Sequence, residues 1–187
     1  MVDDLVAEEF VATAHRIVWC TLATVDRRGR PRSRLVHPIW ERTDDGGLVG
    51  WVVSRPTPLK RAHLAHAPYA SCSYWDPAHD VAVAECRARW ADPAEAERAW
   101  AAFRAAAPPA GYDPATLFPG GPGSPDAAVV RLDPWRLRVA DARALAEGRP
   151  ALVWRADPAA RASASSRTHA SSPRTTSCAP EPTPNVQ

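Results

Sequence analysis

Apolar and polar positions change period several times along this chain, and each change marks an element. Val2, Val6, Phe10 and Ala14 recur at every fourth position while Glu8 and Glu9 fall opposite, which predicts a short amphipathic helix packed along one stripe. From Ile17 to Val25 the chain becomes an apolar, β-branched run that stops at Asp26-Arg27-Arg28-Gly29, the pattern of a buried strand entering a hairpin turn. The return segment, Arg30 to Glu41, alternates. It sets Arg32, Arg34 and Val36 on one face and Ser33, Leu35, His37 and Ile39 on the other. Pro31 and Pro38 bracket that strand and suit an edge position.

A turn at 43–47 leads to a third strand, Leu48 to Ser54, and a short helix follows it as far as Pro68. Tyr69 to Trp75, the turn Asp76-Pro77-Ala78-His79 and a long strand from Asp80 to Trp90 come next; Ala82, Ala84, Cys86 and Ala88 give the long strand a face of small residues. The helix begun at Asp92 carries Ala96, Trp100, Phe103 and Ala107 on one stripe and stops at Pro108-Pro109. Residues 108–126 are rich in Pro and Gly and predict an ordered loop anchored by Tyr112, Leu117 and Phe118. The last long strand, Ala127 to Ala140, turns Leu137 and Val139 inward, and a stub at 151–154 suits a short final strand. Six strands at short spacing, mostly joined by hairpins, predict a mainly β fold, a small antiparallel barrel with peripheral helices. Helices and strands do not alternate, and neither G-x-G-x-x-G nor G-x-x-x-x-G-K-[ST] occurs.

Candidate chemistry concentrates at Ser54-Arg55-Pro56-Thr57-Pro58-Leu59-Lys60-Arg61. Thr57 is a good N-cap and Pro58 fits the first helical position, so Lys60 and Arg61 fall in the first turn, where the helix dipole disfavours cations by roughly 0.3–1 kcal/mol each. The later start Asp92-Pro93-Ala94-Glu95 obeys the opposite rule, with an acid at the capping-box position. Backbone N–H groups, the dipole, Arg55 and Lys60, with Ser54 delivered by the third strand, predict a phosphate site. Composition sharpens this, because Lys60 is the single lysine among 23 Lys and Arg residues.

Other features bound the function. The chain of 187 residues fits one domain at 1–155 and a tail at 156–187, whose Ala, Ser, Thr, Pro and Arg cannot offset the entropy of ordering; that tail is expected to be disordered. A formal net charge of +2 with interspersed acids requires no nucleic-acid partner. Acids near the N-terminus and the lack of a long apolar run predict a cytoplasmic protein with no membrane partner. Cys20, Cys72, Cys86 and Cys178 form no C-x-x-C pair and read as free thiols; His63 and His66, three apart on a helix without partnering ligands, do not make a metal site. No residue is assigned as a general acid or base.

The element order, the segment Gly29-Arg30-Pro31-Arg32-Ser33-Arg34-Leu35-Val36, and Ser54 and Lys60 leading into Ala62-His63-Leu64 and Pro68 together resemble the pyridoxamine 5′-phosphate oxidase-like, FMN-binding split-barrel family over residues 5–140. The resemblance implies a six-stranded antiparallel split barrel. It also implies that Arg34 and Lys60 bind the flavin phosphate with help from Ser54, and that backbone at Leu35, Val36 and His37 runs along the flavin ring. The family forms homodimers with flavins at the interface, which would bring the turn at His79 and Asp80 to the partner's flavin. Ile39 stands where oxidases of vitamin B6 carry a second basic residue, and Pro134-Trp135-Arg136-Leu137-Arg138 reproduces their C-terminal signature poorly. The likeness is therefore to a shorter branch that uses FMN or the deazaflavin F420, and it implies a flavin-dependent oxidoreductase acting on a small organic substrate. The alternatives are an F420H2-dependent reductase, whose longer polyanionic cofactor would call on Arg32, Arg55 and Arg61, and a non-enzymatic flavin- or haem-binding module. Trp40, Trp51 and Trp75 are candidates to line the pocket.

Overall fold

The computed structural model describes residues 2–156. The expected tail lies outside the described residues apart from Ala156, whose N–H donates to the Trp135 carbonyl at 2.9 Å. The chain runs α1 (Asp4–Ile17), β1 (Cys20–Val25), β2 (Pro31–Val36), β3 (Ile39–Arg42), β4 (Leu48–Ser54), α2 (Pro58–His66), β5 (Tyr69–Trp75), β6 (Val81–Trp90), α3 (Pro93–Ala105), β7 (Ala128–Ala140), α4 (Ala142–Ala146) and β8 (Leu152–Arg155). All eight strands belong to one antiparallel sheet in the order β2-β1-β5-β6-β7-β4-β3, with β8 added to β7.

Eight strands stand where six were expected, for two reasons. The stub near the C-terminus does pair, with Leu152 opposite Val139. The other reason is a break: the segment expected to be one strand from Arg30 to Glu41 divides at His37-Pro38. Proline offers no N–H to a ladder, and here the fully buried Pro38 carries the chain from β2, paired with β1, to β3, paired with β4. Two residues thus join the two ends of the sheet order, and the sheet has to curl. This is a split barrel.

The first helix reaches further than expected. Ile17 packs on the core as another member of the α1 stripe, which overrides its strand propensity. Val18 then takes φ 71° to turn the chain, and β1 starts at Cys20.

Two apolar clusters hold the barrel. One joins Val6, Phe10 and Ala14 of α1 to the small-residue face of β6 and to Leu137 and Val139 of β7. Its aromatic centre is Phe10, edge-on to Trp40 at 4.9 Å, with the Trp40 indole donating to Tyr74 Oη at 2.8 Å. The other seats α3, through Ala99, Trp100 and Phe103, on Ile39, Val49, Trp51 and Val129. Tyr112 and Phe118 anchor the Pro/Gly loop on that cluster, whereas Leu117 is exposed. Cys20, Cys72 and Cys86 are free and buried. Among the described residues no helix is long and apolar enough to cross a membrane.

Gly50 lies opposite Trp40 in the β3–β4 pair, and a Cβ there would meet the indole at 2.7 Å. Gly50→Ala should cost about 1–3 kcal/mol of stability by overpacking, read as a lower urea midpoint. A second test concerns His15, whose Nε2 accepts the Trp40 backbone N–H at 3.0 Å. Burial, aided by nearby His37, pushes the His15 imidazole below its ordinary 6.5. The folded state therefore favours the neutral ring: its contribution is complete above pH 6.5 and is lost as pH falls below that value. Urea midpoints on either side of pH 6.5 should show this loss in the wild type and a smaller one in His15→Gln, which keeps an acceptor but does not titrate.

Candidate functional site

The inward faces of three strands change character at the same end of the barrel. Leu22 is followed by Thr24 on β1, Val36 is preceded by Arg34 on β2, and Val52 is followed by Ser54 on β4. Period-two alternation sends each polar residue to the same side as its apolar neighbour. All six line one pocket, closed by Lys60 and Leu64 of α2. The pocket holds about 30 Å³.

Local capping places the lysine. Thr57 Oγ1 accepts the Lys60 backbone N–H at 3.4 Å and Pro58 opens α2 as its sequence demands. From that first turn Lys60 Nζ donates to Ser54 Oγ and, at 3.1 Å, to the Arg55 carbonyl. Across the pocket Arg34 Nη2 donates to Thr24 Oγ1 at 3.0 Å. Behind the lining, the same Oγ1 lies 3.0 Å from Nδ1 of His63, a residue only 3 % exposed. Its Nε2 is buried without a partner among the described residues, an arrangement that typically costs about 1–3 kcal/mol.

The charge balance is one-sided. Burial pushes the Arg34 guanidinium and the Lys60 ammonium below their ordinary values, and each is lowered further by a neighbouring cation, Arg32 for Arg34 and Arg34 for Lys60. No acid lines the pocket, and neither cation has a carboxylate partner among the described residues. Elsewhere guanidiniums meet acids: Arg16 binds Asp76 and Asp80, and Arg131 binds Glu95 and Asp133. An acid-free cleft holding two cations and two hydroxyls is suited to an anion of phosphate type.

Of the residues expected at the site, Arg34, Val36, Ser54 and Lys60 meet in this pocket. Leu35 points outward, 73 % exposed, and Arg55 contributes its carbonyl while its side chain is exposed. His37 turns away, bonding the Ala110 carbonyl at 2.6 Å through Nε2 and packing on Tyr112, with ring centroids 4.8 Å apart. His79 and Asp80 sit on the β5–β6 turn, where His79 packs on Trp75 and Asp80 accepts from Arg16 at 2.7 Å. Of the three tryptophans expected to line a pocket for a flat substrate, Trp40 and Trp51 fill the core, and Trp75 is exposed beside that turn. Thr24 and His63 were missed. Thr24 ends the inward series Cys20, Leu22, Thr24, and His63 is one helical turn beyond Lys60; both signals are present in the sequence. Among the described residues no group of His, Cys, Asp and Glu could hold a metal ion.

The family model described as pyridoxamine 5′-phosphate oxidase matches residues 6–141. The chain belongs to that family. Its fold recurs in a protein related to general stress protein 26 from Clostridium acetobutylicum, at 13% identity and TM-score 0.57, covering 81% of this chain and 92% of that one. A heme binding protein from Mycobacterium smegmatis matches at 21% identity and TM-score 0.59, over 83% of this chain and 60% of that one. A pyridoxamine 5′-phosphate oxidase-related, FMN binding protein from Nostoc punctiforme matches at 13% identity and TM-score 0.50, over 82% of this chain and 96% of that one. These identities establish shared architecture. No curated protein matches the sequence.

In this pyridoxamine 5′-phosphate oxidase family member the bare cation pair has a measurable signature. Lys60→Met should melt at or above the wild-type temperature in chloride buffer, because it removes like-charge repulsion, yet lose the extra stabilisation that phosphate gives the wild type. Thermal melts in the two buffers check this; a phosphate effect that survives the substitution would place the anion elsewhere.

Proposed function

We propose that this protein is an FMN-binding split-barrel oxidoreductase that passes hydride between the flavin and a small organic substrate. The observation that carries the reading is the convergence of Arg34 and Lys60, without an acid, on one small pocket. Arg34 and Lys60 would neutralise the phosphate, and Ser54, whose Oγ accepts from Lys60 Nζ, would donate its own proton to it. When bound, the flavin supplies the hydride chemistry. The protein's part is to hold one end, present the ring along the unpaired edge of β2 at Leu35, Val36 and His37, and limit access by water.

The same reading includes a homodimer. Leu35 and Trp75 stand exposed on one outward face, linked across the sheet through the Leu35–Thr21–Ser73 register. The His79–Asp80 turn borders that face, which supports its reaching a flavin held by the partner. A longer F420 tail has less support, since Arg61 lies over the Trp90 ring at 5.3 Å and does not line the pocket.

The deciding experiment is a visible spectrum of the purified protein, with the mass of any released ligand. FMN is expected, and Lys60→Ala should weaken its binding by roughly 1.5–3 kcal/mol, the usual worth of a charge-assisted contact. Unchanged affinity, or a colourless protein that binds F420 and not FMN, would overturn the proposal.

A further inference from the structure

We infer that His63 is a positioning residue for anion binding: from behind the pocket it holds the Thr24 hydroxyl, which in turn fixes the Arg34 guanidinium. The inference rests on Arg34 being a phosphate ligand, as proposed above. Hydrogen-bond bookkeeping gives the direction of the chain. Arginine only donates, so Thr24 Oγ1 accepts from Arg34 Nη2 at 3.0 Å. The hydroxyl's single proton is then free for His63 Nδ1, also 3.0 Å away. Assigning that proton to the Thr24–His63 bond makes Nδ1 the acceptor and leaves the ring proton on Nε2.

The cost of this arrangement shows what it is for. Nε2 is buried without a partner among the described residues, so an apolar side chain would fill the same space without stranding a polar atom. What the imidazole adds is its bond to Thr24. Arg34 needs such a hold: it stands on β2, which pairs with β1 alone, and the charge of Lys60 repels it. Thr24, 3 % exposed, is well placed to supply it. Helix α2 therefore commands both cations, Lys60 directly from its first turn and Arg34 through His63 and Thr24.

Two measurements on the full chain test this. Long-range proton–nitrogen spectra of the ligand-free protein should show the His63 proton on Nε2, with the Nδ1 resonance moving in Thr24→Val. A proton on Nδ1, or a resonance indifferent to Thr24→Val, overturns the inference without reference to any flavin. In titrations, His63→Leu should weaken FMN about tenfold while riboflavin, which lacks the phosphate, changes less than about twofold. His63→Asn, whose amide oxygen can take the place of Nδ1, should return FMN to within about threefold, and Thr24→Val should reproduce the His63→Leu loss. In an Arg34→Ala background His63→Leu should cost nothing more. Equal losses with and without Arg34, or equal losses for riboflavin, would make His63 a packing residue only. Wild-type protein that binds FMN no better than riboflavin would sink the phosphate reading, and the tautomer spectra would still decide the relay.

Discussion

Repulsion between two cations drawn partly out of water is the constraint around which the rest of this barrel is arranged. Arg34 lowers the Lys60 ammonium, neither has a carboxylate partner among the described residues, and the hydrogen bonds they donate to Thr24, Ser54 and the Arg55 carbonyl hold them in that unfavourable meeting. The contrast lies within the same chain. Arg136 meets Glu85, Arg98 meets Glu41, and the cap of α3 closes Asp92 on Glu95. Against these pairs, Arg34 and Lys60 meet at an apolar cleft that no acid lines, an arrangement with an electrostatic cost.

Topology makes that meeting possible. Arg34 and Lys60 belong to parts of the chain at opposite sides of the sheet order, β2 at one end and the exit of β4 near the other. The His37-Pro38 link forces those ends to approach, and the small face of β6 lets α1 close the interior behind them. Leu22, Val36, Val52 and Leu64 then form an apolar surround that raises the strength of every charge at its rim. Fold and site are in this sense one construction, and the family match over residues 6–141 covers both.

Local features were legible in the sequence and non-local ones were not. Helix starts at Thr57-Pro58 and Asp92-Pro93 could be read directly, because a cap involves residues three apart. Alternation on the second strand put Arg34 and Val36 on one face, as found. The break at His37-Pro38 could not be read, since it depends on which strands lie at the ends of the sheet. Trp40 and Trp51 failed as pocket residues for a related reason: an apolar ring looks the same in a strand pattern whether it faces a ligand or a helix, and here Phe10 and Phe103 belong to the clusters that take those rings. Ile17 was read by its strand propensity when its place on the α1 stripe decided the matter. The sequence pattern reads His63 as a helix residue without metal partners, and its contact is with a hydroxyl that no spacing rule brings within 3.0 Å of it.

The solitary lysine has a practical side. Apart from the α-amino group, Lys60 is the only primary amine in a chain otherwise furnished with arginines, and its ammonium sits below the ordinary value. Amine-selective acylation is thereby confined to the chain terminus and this one position at the cleft, so a single mass increment on the peptide containing residue 60 would report how accessible the cleft is.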